Sequence, residues 1–193
     1  MTVNSDAARV AVLVAEGLEE IEGLTVVDLL FRAGIPCDTV SITKELTVTS
    51  SHKVTIVCDR SIADDDFDFA AYSLVVLPGG VPGTPNLAAC KPLAAELRCR
   101  FDEGLPVAAI CAAPTILAEL GLLEGRHATC YPDRLPVLQE HGAIIDAGSV
   151  VVDGNLTTSQ GMGTAIDFGL SLIAQIKGQE EAGRISRAIV YTE

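Results

Sequence analysis

The sequence predicts an α/β domain, a parallel sheet sandwiched by helices in the Rossmann-like and flavodoxin-like manner, and three observations predict it. Arg9–Ala15, "RVAVLVA", is a continuous apolar run of strand length, as a strand covered on both faces requires. The segment "LTVVDLLFRAG" then carries Leu24, Val27, Leu30 and Phe31 at helical spacing and stops at Gly34 before a second strand-like run, Ile35–Ile42. That completes a βαβ unit, whose two strands must be parallel. Further along, "SLVVL" (Ser73–Leu77) runs into Pro78–Gly79–Gly80, a turn at the strand end where open α/β sheets bind ligands.

The remaining elements continue the pattern. "TVTS" and "KVTIVCD" alternate as a small antiparallel excursion ending near Asp59, and Ala63–Ala71 is an acidic loop or turn of helix. A helix is expected over Ala88–Glu103, a strand over Val107–Ile110 and a helix over Thr115–Leu120. Short segments follow around Ala128–Cys130, Ala143–Asp146, Val150–Val152 and Asn155–Ser159. Thr164–Ile176 is a strongly amphipathic helix and Glu180–Ser186 a further one. With no internal repeat, low-complexity stretch or linker, residues 1–193 are expected to form one domain, the first eight a flexible start.

Composition narrows the function classes. Hydrophobic residues make up 49% and charged residues 20%, enough to build a core without disulfides or metal. The net charge of −13, from 26 acidic and 13 basic residues with no Lys/Arg cluster, argues against nucleic acid and anionic membranes as partners. No apolar run reaches the ~18 residues of a membrane span, and from the polar residues Met1–Ala8 no targeting segment is expected. The six cysteines, Cys37, Cys58, Cys90, Cys99, Cys111 and Cys130, include no C-x-x-C pair. Reduced thiols in the cytoplasm are therefore expected, and neither a metal nor a cofactor is.

The stretch "VAAICAAPTILAEL" (Val107–Leu120) places Cys111 on the turn between a strand and a helix. A side chain there is lifted from the core toward unsatisfied helix N–H groups, which present a nucleophile and lower a thiol pKa. Gly79 and Gly80 let backbone N–H groups approach a reacting oxygen. Among Glu16, Glu19, Glu20 and Glu22, expected to be exposed charge at a helix start, one carboxylate is free to enter the same crevice; which one the residues alone leave open. The three histidines, His52, His127 and His141, do not follow Cys111, and the glycine-rich phosphate loops are absent. "GMGT" (Gly161–Thr164) reads as a close backbone turn.

Four stretches in order, "VLVAEGLEEIE" with "VVDLLFRAGI", "VVLPGG", "AAICAAP" and "TSQGMGTAIDFGL", resemble the DJ-1/PfpI (ThiJ/PfpI) superfamily, in its DJ-1-like bacterial branch. The resemblance runs from about Arg9 to Ile176 and implies the fold shared with class I glutamine amidotransferases. It implies Cys111 as the reactive cysteine and Glu22 as the carboxyl group beside it, sharing one proton, with Glu22 donating to the thiolate. Gly80 and Ala112 would supply the oxyanion N–H groups, with Gly79, Tyr131 and His52 around the pocket. Tyr131 stands where many relatives have histidine, Ala112 departs from protease-like members, and a late His/Glu pair of amidotransferases is missing. His52 replaces a basic residue that some relatives contribute across a dimer, and Arg32 is expected in a structural ion pair. The implied activities are conversion of methylglyoxal to lactate without glutathione and deglycation of proteins or nucleotides. The alternative is a redox sensor or chaperone in which Cys111 is oxidised to a sulfinate. A small aldehyde or glycated substrate and a homodimer are the implied partners.

Overall fold

The computed structural model describes residues 8–191; the expected flexible start lies almost wholly outside them. The first part of the chain forms β1 (Val10–Val14), α1 (Glu20–Arg32), β2 (Cys37–Ser41), β3 (Thr47–Thr49), β4 (Thr55–Val57) and β5 (Arg60–Ser61). Then come β6 (Leu74–Leu77), α2 (Gly83–Ala89), α3 (Lys91–Glu103), β7 (Val107–Ile110) and α4 (Pro114–Glu119). The last part comprises β8 (His127–Ala128), α5 (Leu135–Glu140), β9 (Ile144–Ile145), β10 (Val150–Asp153), β11 (Leu156–Ser159), α6 (Ala165–Lys177) and α7 (Gln179–Ala188).

Seven strands make the central sheet in the order β10-β11-β7-β6-β1-β2-β5, parallel throughout except for β10 on β11. The chain builds outward from β1 to β2 and β5, then returns to place β6 on the other side of β1. The strand order thus reverses between β1 and β6, opening a crevice at their carboxyl ends. Side-chain alternation sorts each strand between two cores. Ala11, Leu13, Val75 and Leu77 pack against α3 and α4, whereas Val10, Val12, Leu74 and Val76 pack against α1 and α6. Fully buried apolar strands of this kind bear out the expected helix-sandwiched, flavodoxin-like sheet.

The differences from expectation have local causes. Ala88–Glu103 is not one helix: the chain is extended at Cys90 (φ −78°, ψ 99°), so α2 ends and α3 starts afresh with Pro92 in its first turn. Gly104 then ends α3 in the left-handed region. Pro132–Glu140, left unassigned by periodicity, is a 3₁₀ turn followed by α5. Helix α1 begins at Glu20, ahead of its apolar run, and its buried stripe is Val26, Leu29 and Leu30, while Phe31 is 81% exposed. The acidic group is not simply exposed either, since Glu20 and Glu22 are buried.

Candidate active site

Cys111 leaves the carboxyl end of β7 with φ +64°, a left-handed conformation that costs a non-glycine residue about 1–2 kcal/mol. Its neighbours fix it. The Cys111 N–H donates to the Ser159 carbonyl at 3.0 Å, and the Tyr131 N–H donates to the Cys111 carbonyl at 2.8 Å. Ala113 turns back to the Ile110 carbonyl at 3.1 Å to start α4. Both peptide faces of Cys111 are thereby held, so the strained turn persists and its thiol stands off the sheet.

The turn after β6 closes on it. A Cβ on Gly79 would lie 2.7 Å from the Cys111 Cβ and 2.8 Å from Glu22 Oε2, so only glycine fits there. Gly80, at φ +101°, has the Glu19 N and the Gly17 carbonyl where a side chain would stand. This close approach lets the Gly80 N–H and the Ala112 N–H both point at the Cys111 sulfur. The Glu19 N–H donates to the Gly79 carbonyl at 2.9 Å, fastening the start of α1 to the same turn.

Glu22, on the first turn of α1, is 1% exposed and accepts the Gly79 N–H on Oε2 at 2.9 Å. It also hydrogen-bonds the Cys111 side chain and the Met162 N–H. Burial, helped by the nearby Glu19 charge, pushes the Glu22 carboxyl up to about 7. Burial and then the Glu22 charge push the Cys111 thiol up to about 12, against the pull of the Ala112 and Gly80 N–H groups. The lowered thiol pKa expected from a helix start is therefore corrected: desolvation and a facing carboxylate outweigh those N–H groups. Two negative charges do not coexist here, so the pair loses one proton near neutrality and retains the other well above it.

The other candidates fall at different distances from the sulfur. Gly161, opening the turn read from "GMGT", lies at the site: a Cβ there would be 3.6 Å from Tyr131 Cδ2, 3.8 Å from Glu22 Oε1 and 3.9 Å from Cys111 Sγ. Tyr131 thus flanks the same opening and is half-exposed. His52 is exposed and meets Glu20 and Glu19 at 3.3 and 3.4 Å instead of Cys111. Those three side chains bring ligand atoms within 4.8 Å of one another, close enough for a cation, although the same contacts suit an ion pair with protonated His52. Arg32 pairs with Asp28 at 2.6 Å on the surface of α1, a structural ion pair as expected. Cys130 is buried in the opposite core layer, and burial pushes its thiol up to about 12.

Sequence reasoning assigned no role at the site to Gly161 and Met162 beyond a turn; their signal was the "SQGMGT" stretch itself. It also passed over a cleft of about 560 Å³ beside Ala112, between α2, α4 and α5. Two of its walls, α2 and α5, belong to elements that periodicity misread or left unassigned, while the third, α4, was expected.

Comparison with known proteins identifies the family. The DJ-1/PfpI family model matches residues 8–175. Protein DJ-1alpha of Drosophila melanogaster is 37% identical over 96% of this chain and 85% of its own length. Protein DJ-1 homolog B of Arabidopsis thaliana is 34% identical over 98% of this chain, which spans only 43% of that relative. The glutathione-independent glyoxalase DJR-1.2 of Caenorhabditis elegans is 29% identical over 90% of this chain and 91% of its own. Among solved structures, oxidized Toxoplasma gondii DJ-1 superposes with a TM-score of 0.88 at 32% identity, covering 97% of this chain and all of that one. A family match over most of the chain, joined to these relatives and this fold, places the protein in the DJ-1/PfpI family.

Proposed function

We propose that this protein is a cysteine-dependent aldehyde-processing enzyme that converts methylglyoxal to lactate without glutathione, using Cys111 and Glu22. The observation that carries the reading is a buried carboxyl group hydrogen-bonded to the sulfur of a strained strand-end cysteine, with two backbone N–H groups on the same sulfur. The activity in the name of the Caenorhabditis elegans relative supports it.

The Cys111 sulfur adds to the aldehyde carbon while its proton passes through Glu22 to the new oxygen, giving a neutral thiohemiacetal. Gly80 and Ala112 N–H groups stabilise charge on that oxygen during addition. Glu22, anionic once it has passed that proton on, removes the hydrogen on the former aldehyde carbon as a proton and returns it to the neighbouring carbonyl carbon, while the thiohemiacetal hydroxyl proton moves to the neighbouring carbonyl oxygen. The first carbon is oxidised and the second reduced, with no external electron acceptor. The product is a hydroxy-thioester, which water cleaves to lactate, returning a proton to sulfur. A Glu22 carboxyl that titrates near neutrality suits this exchange. Deglycase activity on proteins or nucleotides follows from the same chemistry, because consuming free aldehyde drains reversible adducts.

The test is lactate formation from methylglyoxal by the reduced protein beside Cys111→Ser and Glu22→Gln. The reading requires turnover in the parent and background rates in both variants; background lactate from the parent overturns it. A redox-sensor or chaperone role is favoured by one feature: the half-exposed side chain flanking Cys111 is Tyr131, a phenol where many relatives have histidine. In that case two equivalents of peroxide convert the thiolate to a sulfinate and two waters, and protonated Glu22 holds the sulfinate. Mass spectrometry showing two added oxygens on Cys111 in a protein without turnover would select it. We also place the chain in a homodimer through the outer face of α1, and in the cytoplasm, whose reducing conditions suit six free cysteines.

A further inference from the structure

We infer that the cleft between α2, α4 and α5 is a substrate subsite, and that it directs the enzyme toward 2-oxoaldehydes with an apolar arm ending in a single carboxylate. The inference rests on the aldehyde-processing reading and extends it to a substrate class. The cleft starts where the chemistry ends: Val81, next to Gly80, and Ala112, next to Cys111, both line it. A carbonyl oxygen held by the Gly80 and Ala112 N–H groups therefore sits at its mouth, and any larger substituent has this space to enter.

Its volume, about 560 Å³, lies within the ~300–1,000 Å³ of sites that hold drug-sized ligands, far more than a methyl group needs. Pro85, Ala88 and Ile116 give it apolar walls, suited to an aryl or alkyl arm. Thr84, also on the wall, is 6% exposed, and its hydroxyl is the buried side-chain polar atom without a hydrogen-bond partner among the described residues. Arg134 stands on the same lining, exposed and without a carboxylate at ion-pair distance among the described residues. On a chain of net charge −13 an unpaired guanidinium at a cleft is a specific anion receptor. Glu119 lines the cleft too and sets the limit: it repels a dianion, so a carboxylate is preferred to a phosphate ester.

The test compares initial rates, over the first minute so that arginine modification by arylglyoxals does not contribute, for methylglyoxal, phenylglyoxal and 4-carboxyphenylglyoxal. The parent is expected to favour the carboxylated aryl substrate by at least tenfold in kcat/KM over methylglyoxal. Ala88→Phe, at an exposed helix position that fills the cleft, should reduce that ratio tenfold through KM. Arg134→Gln should reduce the preference for 4-carboxyphenylglyoxal over phenylglyoxal fivefold. A second arm needs no turnover: 4-acetylbenzoate is titrated into Cys111→Ser while backbone amide resonances of Val81, Ala88 and Val137 are followed. Equal kcat/KM for all three aldehydes, or no movement of these amides, overturns the subsite even if methylglyoxal is turned over. Movement of these amides, lost in the Ala88→Phe double variant, sustains the subsite even if no aldehyde is turned over and the glyoxalase reading falls.

Discussion

Glu22 holds a proton that the unfolded chain has already lost, and this makes one buried carboxyl group a measurable part of stability. Burial raises it from 4.5 to about 7. Between those values the folded state binds more protons than the unfolded state, so stability falls as pH rises through the window and the loss is complete above about 7. A shift of that size corresponds to about 3 kcal/mol. Glutamine has no proton to lose, so Glu22→Gln should gain about 2.5 kcal/mol relative to the parent between pH 5 and pH 8. Urea denaturation at the two pH values checks it; parallel pH dependence in both proteins would show that the carboxyl group is not raised. Stability given up at neutral pH by the residue facing the reactive sulfur is what a functional site imposes on a fold.

At the scale of elements, the site depends on three strand ends being held in register at their opposite ends. Arg100 on α3, 1% exposed, does this for β6 and β7. It pairs with Glu96 at 2.7 Å and donates to the carbonyls of Pro106 at 3.1 Å, Phe69 at 3.3 Å and Tyr72. Arg100→Ala leaves those carbonyls and Glu96 without their partner and should destabilise the fold by about 3–5 kcal/mol. Arg98→Ala removes an exposed side chain that among the described residues reaches only the Leu120 carbonyl, at 2.8 Å, and should cost under about 1 kcal/mol; chemical denaturation compares the two. None of Arg100's role was legible in the sequence, because an arginine in a helix reads as a solvated charge until tertiary contacts bury it. The strands were legible, because strands covered on both faces must be continuously apolar. The break between α2 and α3 was not: Pro92 is compatible with a helix start, and the extended residue two positions before it is an ordinary Cys90. The Cys111 turn was readable from the strand-to-helix change in pattern. Its raised pKa was not, because that depends on burial by the assembled fold and then on Glu22, from an element 89 positions earlier in the sequence.

For the whole molecule, α1 poses a question that the single chain does not answer. Its inner stripe, Val26, Leu29 and Leu30, is buried against β1 and α6. Of the periodic set Leu24, Val27, Leu30 and Phe31, Leu30 is buried and Val27 packs partly against the same core, whereas Leu24 is 37% and Phe31 81% exposed. The helix therefore has two apolar faces, and periodicity alone identified apolar residues without saying which body they cover. Val190, 84% exposed after α7, shares a groove with Leu24, extending the same patch across neighbouring elements. The homodimer proposed above would cover these exposed apolar residues most simply, since a two-fold interface needs only one self-complementary patch. Glu22 sits on the inner side of this helix, so dimerisation would also brace the carboxyl group that faces Cys111. Phe31→Glu places a charge on the exposed side of α1 and, Phe31 being 81% exposed in the single chain, spares the fold. Sedimentation velocity should show the parent at twice the chain mass of 20.2 kDa and Phe31→Glu shifted at least tenfold toward monomer in dissociation constant. The variant's unfolding transition should persist with lower stability, and its lactate formation should fall with the dimer fraction. A parent that sediments as a monomer, or a Phe31→Glu protein that remains a dimer, would remove this face of α1 as the interface.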